Sequence, residues 1–308
     1  MPVVILIAVL LVAAVISVLI FLPVNSVHFN QTSQLTKADV DNLLVDFQAD
    51  VANVNVIFEN LPSSMVVLNV TAEGSVGVLE DLDHVVTVTF NHQTANNSAK
   101  VVSSVLRTSR WSMFYNLKVN CDVYIDPSAN LSLNFRSEVG KIEMDASAKM
   151  ILQSLDLETT TGSVDVNLSK GVVVAGSISL KSSTGAVQFR MDDVDFPSNV
   201  SVNLQSTTGF VNVDLAATHK VLGNVTVNAH TTTGAVNLFM VIDNDIGGRI
   251  ESATDVGRIT VDVKRFSGNQ SPLQSNNYPA PSNFLVNLRT NTGGININAD
   301  YGSNTVLS

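Results

Sequence analysis

The stretch from residue 202 to residue 215, VNLQSTTGFVNVDL, decides the fold of this chain. On both sides of Gly209 apolar residues alternate with polar ones, which is the pattern of a β-strand with one buried face. The pattern recurs from residue 133 to residue 299, and five of the six steps between copies are 22 to 25 residues long. Aligned on the glycine, the seven copies are centred on Gly140, Gly162, Gly185, Gly209, Gly234, Gly257 and Gly293.

The columns of this alignment are uniform. The second and fourth residues after the glycine are apolar in every copy, and the third is polar. Because glycine accepts a positive φ and short hydroxyl side chains bond nearby backbone groups, we predict a sharp corner at each copy. The third residue before the glycine always carries a hydroxyl, namely Ser137, Thr159, Ser182, Ser206, Thr231, Thr254 and Thr290.

The apolar positions switch parity at the glycine, so one flat strand cannot run through a copy. A two-residue hairpin turn or a corner leading to another face of a coil would each satisfy this switch. A unit of this length repeated seven times favours the coil, since such units bury their apolar rows only against the next turn. We therefore predict an all-β fold, a β-solenoid (β-helix) of about seven or more turns, with one N-terminal apolar helix before it. A series of hairpins is the alternative.

Net charge and cysteine count limit the classes of partner and the forces that can stabilise the fold. The net charge is −10 with 17 scattered Lys and Arg residues, whereas phosphate binding needs clustered ones, so no nucleic-acid partner is expected. The single cysteine, Cys121, cannot form an internal disulfide. Packing and sheet bonding must therefore hold the fold together.

The N-terminal segment is apolar. Residues 3 to 22 are interrupted only by Ser17, and as a helix they would cross a bilayer. No basic start and no clear cleavage site precede Pro23, so we predict an uncleaved signal anchor over residues 1–24 rather than a signal peptide. The membrane is then a partner of residues 3–22, with the body outside the cell.

The rest of the chain divides by composition. We expect a polar stalk over 25–39, a short helix near 36–48, and a β-rich region over 40–130 that forms degenerate turns or a cap. The solenoid repeats occupy 131–299, with an insertion at 266–281 that resembles a surface contact loop. A short C-terminal tail, 300–308, would cap the last turn poorly.

Eight Asn-x-Ser/Thr sequons occur, only slightly more than this composition would give by chance. Several fall in loops between strands, where glycans would fit, and this agrees with a body outside the cell. The candidate glycosylation sites are Asn30, Asn69, Asn96, Asn130, Asn167, Asn199, Asn224 and Asn269.

Three copies show the motif most clearly: LETTTGSVDVNL at 157–168, LKSSTGAVQFRM at 180–191 and AHTTTGAVNLFM at 229–240. These strand, Ser/Thr-Thr-Gly corner, strand units resemble the putative-adhesin, or toast-rack, family of β-solenoid domains of unknown function. The resemblance covers residues 133 to 299, a little over half of the chain. It implies a prokaryotic cell-surface protein, with an archaeal source as one option, and it brings no catalytic residues.

Catalysis and metal binding receive little support. Paired acids could hydrolyse polysaccharides, but the carboxylates here lie in linker slots where solvated turn residues belong. Asp243-Asn244-Asp245 lacks the Glu of a calcium loop, and the histidines show no zinc spacing. We therefore predict no enzyme, no cofactor and no metal. The residues weighed were Asp192, Asp193, Asp195, Asp243, Asp245, His28, His84, His92, His219 and His230.

The expected function is structural or adhesive: a membrane-anchored rod outside the cell, whose partners are cell-surface glycans or proteins. The first alternative is a filament subunit that polymerises with itself by strand addition, with the N-terminal segment or stalk as donor. The second is a polysaccharide-processing β-helix enzyme. The hydroxyl column before the glycines could bind ordered water or sugars, although backbone bonding at the corner explains it more simply.

Overall fold

Two long β-sheets face each other across one apolar core in the computed structural model, which describes residues 10–14, 23–37, 39–77, 85–107, 115–147, 149–219 and 221–302. Residues 10–14 are helical. Most of the predicted span 3–22 lies outside the described residues, as does most of the predicted tail 300–308. No helix within the described part is both long and apolar enough to cross a membrane.

The strands alternate between the two sheets along most of the chain. The first eleven are β1 (Pro23–Thr36), β2 (Asn42–Val51), β3 (Asn53–Phe58), β4 (Ser64–Gly77), β5 (Val86–Ala95), β6 (Ser98–Arg107), β7 (Tyr115–Ile125), β8 (Asn130–Val139), β9 (Ile142–Ala146), β10 (Met150–Thr161) and β11 (Val164–Leu168). The remaining strands are β12 (Val172–Thr184), β13 (Val187–Asp192), β14 (Val200–Thr208), β15 (Val211–Ala217), β16 (Val225–Thr233), β17 (Val236–Ile242), β18 (Ile246–Val256), β19 (Ile259–Lys264), β20 (Phe266–Ser267), β21 (Leu273–Ser275), β22 (Ser282–Thr292) and β23 (Ile295–Tyr301).

Each winding consists of one strand of sheet B, a corner, and the next strand of sheet A. Sheet A runs β1-β4-β7-β3-β9-β11-β13-β15-β17-β23-β19, and sheet B runs β20-β21-β18-β22-β16-β14-β12-β10-β8-β2-β6-β5. Neighbouring windings pair in parallel, so that Val211 lies between Val187 and Val236. The fold is therefore an all-β solenoid, and the predicted parity switch is a corner between two sheets rather than a hairpin turn.

The corner glycine is required twice over. Gly209 has a φ of 145°, a conformation that side-chain-bearing residues avoid. A Cβ on Gly209 would also stand 2.0 Å from the carbonyl oxygen of Gly185, because the corners of successive windings stack directly on each other. The sequence pointed to the first requirement, and the structure adds the second.

The hydroxyl three residues before each glycine satisfies the backbone. Ser206 Oγ donates to the carbonyl oxygen of Gly185 at 2.9 Å, and Thr231 Oγ1 donates to that of Gly209 at the same distance. Both side chains have no exposed surface. The same bond recurs from Ser137 to Ala52, Thr159 to Gly140, Ser182 to Gly162, Thr254 to Gly293 and Thr290 to Gly234.

The inward rows form one dry column. Val164, Val187, Val211 and Val236 all have 0% exposure and belong to a single cluster that extends through both sheets. Cys121 lies in the same core, and burial there raises the pKa of its thiol to about 12. The thiol is therefore neutral and inert at physiological pH.

The spatial order of windings departs from chain order at both ends. The β22/β23 winding lies between β16/β17 and β18/β19, although it follows β18/β19 in sequence. At the other end, the β2/β3 winding lies between β6/β7 and β8/β9. In that winding Ala52 takes the corner position that glycine holds in the seven aligned copies. Counting these, nine two-strand windings stack in one direction within the described residues.

Residues 25–39 are not a polar stalk. Pro23–Thr36 forms β1, which pairs antiparallel with β4 along nearly its whole length. Val27 and Leu35 point inward and are 3% exposed, and mainly polar residues between them hid the alternation. The helix expected near residues 36–48 is also wrong, because β2 buries every second residue, as a strand does.

The insertion at residues 266–281 does more than form a surface loop. It contains β20 and β21, and β21 pairs antiparallel with β18 at the end of sheet B. Leu273 is fully buried and Phe266 packs against the core, so both close the apolar column. Sheet A has no equivalent cover in the described part, and β19 is its edge.

A partly buried ion pair ties the N-terminal windings together. The Lys37 ammonium contacts Asp126, whose residue is 1% exposed and which also accepts bonds from the backbone N–H groups of Leu61 and Ser128. Burial would raise the pKa of Asp126, but its bonds with Lys37, Ser128 and Leu61 hold that pKa below the usual value. The pair thus joins the β1–β2 connection to the β7–β8 turn.

Candidate binding surface

Two of the five carboxylates weighed as catalytic acids, Asp193 and Asp243, stabilise turns. Asp193 has a φ of 51° and accepts bonds from the Thr218 N–H at 2.6 Å and from the Thr218 hydroxyl. Asp243 accepts from the N–H of Asn244 at 2.7 Å. The backbone of Asp195 bonds to that of Val172. The side chains of Asp193 and Asp243 are thus engaged in local turn bonds.

The histidines do not gather into a site. His219 Nδ1 lies 2.9 Å from Asp193 Oδ2 in an exposed loop, and His230 Nε2 lies 3.4 Å from Asn291. His84 lies outside the described residues. Within the part of the chain that the structure describes, no three His, Cys, Asp or Glu residues are placed to hold a metal ion.

The sequons differ in accessibility. Asn30, Asn96, Asn199 and Asn269 are exposed. The other four, Asn69, Asn130, Asn167 and Asn224, are partly buried, and their side chains are hydrogen-bonded to Thr32, Asn42, Asp145 and Asn283 respectively. Glycans fit more readily on the first group.

The Ser and Thr residues before the corner glycines form two columns, one buried and one exposed. The buried column three residues before the glycine bonds the backbone, as described above. The column directly before the glycine is exposed on the corner ridge and stacks in register from winding to winding. Its threonines are Thr161, Thr184, Thr208, Thr233 and Thr292.

The outer face of sheet A carries two further columns, at the third and fifth positions after the corner glycine. We call the channel between them the trough. It crosses seven strands, from β9 to β19, and so spans about 29 Å at about 4.8 Å per strand. In spatial order one column holds Glu143, Asp165, Gln188, Asn212, Asn237, Asn296 and Thr260, and the other holds Asp145, Asn167, Arg190, Asp214, Phe239, Asn298 and Asp262.

The half of the trough near β9 is charged. Lys141 Nζ lies 2.6 Å from Asp165 and 3.1 Å from Glu143, and Arg190 lies 3.5 Å from Asp214. Burial would lower the pKa of Lys141, but its hydrogen bonds to Asp165 and Glu143 raise that pKa above its usual value. These side chains largely neutralise one another.

The half near β19 is built from amides. Asn237 Nδ2 donates to Asn212 Oδ1 at 2.7 Å, and Asn296 Nδ2 donates to Asn237 Oδ1 at 2.8 Å. Phe239 stands beside this ladder, in register between Asp214 and Asn298, and is partly exposed. The groove here holds about 350 Å³.

Sequence reasoning missed the trough, although a signal for it existed. The strand pattern makes the fifth residue after each glycine an outward position, and Phe239 is the only apolar residue there among the seven aligned copies. An aromatic ring at a position reserved for polar residues needs a reason other than core packing. Which residues surround it depended on the order of windings, which the sequence did not indicate.

Comparisons with known proteins give only loose matches. No family model matches the sequence, and no curated protein does. A putative cell adhesion protein from Clostridium sporogenes is 10% identical with a TM-score of 0.42, over 89% of this chain and 99% of that one. A putative adhesin from Bacteroides fragilis is 12% identical with a TM-score of 0.35, over 88% and 97%. A third, from Parabacteroides merdae, is 11% identical with a TM-score of 0.28, over 87% and 96%.

All three solved structures are named as adhesins or adhesion proteins, and the names agree with the family that the corner motifs resemble. TM-scores below 0.5 describe a loose likeness, so these structures assign no function and no site to this chain.

Proposed function

We propose that this protein is a non-enzymatic rod at the cell surface with an adhesive or structural role. The observation that carries the proposal is the single apolar core that runs through nine stacked windings, with polar side chains along the outer faces. Eight steps of about 4.8 Å make the stack of nine windings about 38 Å long. Such a body presents a long, regular surface and supports no deep pocket between separate domains.

The proposed location is the outer face of the cell membrane, with residues 3–22 as a single-pass anchor. The length and apolarity of that segment support the proposal, as do the four exposed sequons. Partners on this reading are glycans or proteins of a neighbouring surface. The turn-stabilising role of Asp193 and Asp243 supports the absence of catalysis.

Expression of the full chain tests the location. We expect the protein in the membrane fraction, with its body digested when protease is added to intact cells. A variant lacking residues 1–22, which leaves β1 intact, is the matched control and is expected in the soluble fraction. Protection of the full chain from external protease would contradict the proposal.

Adhesion is tested with the same two proteins. Cells that display the full chain should bind to glycan- or protein-coated surfaces more strongly than cells that express the truncated variant. Equal binding would contradict the adhesive role and leave the structural one.

The open edge of sheet A favours a filament as the second candidate. β19 pairs only with β23 in the described part. Its inward residues Ile259, Val261 and Val263 are only partly buried. At the opposite edge of the same sheet, β1 pairs only with β4. Strand β1 of one copy could therefore continue the sheet of another beside β19, and repeated contacts would give an open fibre.

Electron microscopy of the purified chain tests the filament. The candidate predicts fibres for the wild type and for Thr260→Lys, whose lysine points outward. Val261→Lys places a charge on the inward side of the edge and should abolish fibres while leaving a folded monomer by circular dichroism. Single rods at every wild-type concentration would exclude the filament.

A further inference from the structure

We propose that the β19 half of the trough binds an uncharged polysaccharide chain, with Phe239 as the stacking platform. This inference rests on the proposed adhesive role and assigns it a ligand class and a place on the molecule. The polymer would run across the strands, from β15 through β17 and β23 to β19. Each strand would then present one side chain on either side of it.

Phe239 supplies the first argument. Between β9 and β19 it is the only apolar side chain in the two columns of the trough, and it is neither packed in the core nor part of an aromatic pair. Leaving part of a phenyl ring in contact with water costs free energy that a polar residue at this position would not. The C–H face of a sugar ring is apolar and flat, and it covers an aromatic ring while leaving the sugar hydroxyls free at its rim.

The amide ladder supplies the second argument. An asparagine side chain has two N–H donors and two acceptor lone pairs, and each ladder bond uses one donor of one residue and one lone pair of the next. Asn237 therefore keeps one donor and one lone pair that can face the trough. The side chain of Asn298 is exposed and makes no hydrogen bond within the described residues, so its whole amide is free. Neighbouring donors and acceptors of this kind suit the paired hydroxyls of a sugar.

Charge supplies the third argument. The residues that line this groove include two carboxylates and no Lys or Arg; they are Asn212, Asp214, Asn237, Leu238, Phe239, Thr260, Asp262, Asn296, Ile297 and Asn298. Asp214 is paired with Arg190, so Asp262 is the carboxylate that would repel an acidic polysaccharide, and the residues lining the groove include no cation that would attract one. Uncharged sugars face no such penalty, and carboxylate oxygens accept bonds from their hydroxyls.

Repetition supplies the fourth argument. Asn212, Asn237 and Asn296 are related by single strand steps of about 4.8 Å. This step is comparable to the length of one sugar residue in an extended chain. A polymer could thus meet an equivalent amide at successive units, and weak contacts would add along its length.

The test uses the full chain, purified in detergent, and affinity gel electrophoresis with soluble probes. The uncharged probes are yeast mannan, dextran and laminarin, and the acidic ones are polygalacturonate and alginate. We expect retardation by at least one uncharged probe and by neither acidic one. Phe239→Ala should weaken that binding about tenfold or more, the size expected for a lost stacking platform.

Two matched controls separate the site from general effects. Phe210→Ala removes another exposed phenyl ring, which stands at a corner outside the trough, and it should bind like the wild type. Asn298→Ala should weaken binding, whereas Asn203→Ala, on the outer face of sheet B, should not. Circular dichroism and melting curves show whether each variant is folded.

The inference is overturned if no uncharged probe binds, if only acidic probes bind, or if Phe239→Ala binds as well as Phe210→Ala. These outcomes differ from a failure of the proposed function. Undiminished adhesion of cells that display the Phe239→Ala chain would refute glycan binding in the trough and leave the adhesive role standing. Loss of surface display refutes the location and leaves binding by the purified chain unaffected.

Discussion

The corner and the trough lie only a few residues apart in every winding, yet they are built on opposite plans. The corner repeats the same two elements in all seven aligned copies, a glycine and a hydroxyl three residues before it, and that hydroxyl is buried in six of the seven. The trough changes in every winding, from Glu143 and Asp145 at one end to Thr260 and Asp262 at the other. The uniform columns at the corner determine how the windings stack, whereas the variable columns of the trough are available to bind a ligand.

This contrast predicts that the largest effect on stability comes from the corner glycine. Gly209→Ala combines an unfavourable φ with a Cβ 2.0 Å from a backbone oxygen, so we expect a loss of about 3 kcal/mol in the free energy of unfolding. Gly294→Ala is the control, because its nearest contact would be 3.6 Å away. Urea denaturation measures both. Equal midpoints for the two variants would contradict the stacked corner.

The buried hydroxyl should come next. Ser206→Ala leaves the carbonyl oxygen of Gly185 without its side-chain partner in a dry environment, and we expect a loss of about 2 kcal/mol. Thr207→Ala changes the exposed neighbour and should stay within about 0.5 kcal/mol of the wild type. Urea denaturation measures the free energy of unfolding of both variants. Equal losses would show that the Ser206 hydroxyl does not stabilise the corner.

The amide ladder lies between the two plans, because it is regular over three windings only. Asn237→Ala breaks the 2.7 Å bond to Asn212 and the 2.8 Å bond from Asn296, and partial exposure lets water replace both. We expect a loss of about 1 kcal/mol. Thermal melting followed by circular dichroism measures it, and a loss as large as that of Ser206→Ala would make the ladder part of the fold.

Acid should affect neither corner nor ladder, which contain no ionisable group, but it should affect the Lys37–Asp126 pair. The pKa of Asp126 is lowered in the folded state, so its stabilisation is complete above the unfolded aspartate pKa of about 4 and is lost as the pH falls through the folded value. Asp126→Asn should remove that part of the pH dependence. Superimposable stability curves for Asp126→Asn and the wild type from pH 6 to pH 2 would refute this.

The smallest stability effect is expected in the trough. Phe239→Ala removes a partly exposed ring with no place in the core cluster, and the change should stay within about 0.5 kcal/mol. Its consequence should appear in glycan binding alone. A melting temperature lowered as far as that of Gly209→Ala would show that the ring is structural.

The sequence predicted the part of the fold that repetition encodes. The parity switch at Gly209 and the hydroxyl at Ser206 are local consequences of a stacked corner, so they recur and could be read from seven copies. The β-solenoid follows from them. The structure also confirms that the hydroxyls three residues before the glycines donate hydrogen bonds to backbone carbonyl oxygens.

Features of the fold that occur only once could not be predicted from the sequence. Strand β1 has one copy and a mainly polar composition, so Val27 and Leu35 did not stand out as inward residues. The 36-residue step before Gly293 indicated an insertion but not its role as a cap. Leu273 and Phe266 act as a cap only because they cover the open end of the core, and that end cannot be located from the sequence alone. The trough combines side chains from strands whose neighbours are set by winding order, and local pattern contains no information on that order.

The interleaved order of windings has a mechanical consequence. A solenoid whose windings follow chain order can be unzipped from its end, one strand pair at a time. Here β23, the last strand of the described residues, pairs with β17 on one side and β19 on the other. Its partner β22 lies between β16 and β18 in the same way. Tension on the chain beyond β23 would load both ladders at once and in shear, so the array should resist a pulling force at which a sequentially wound array would already have peeled.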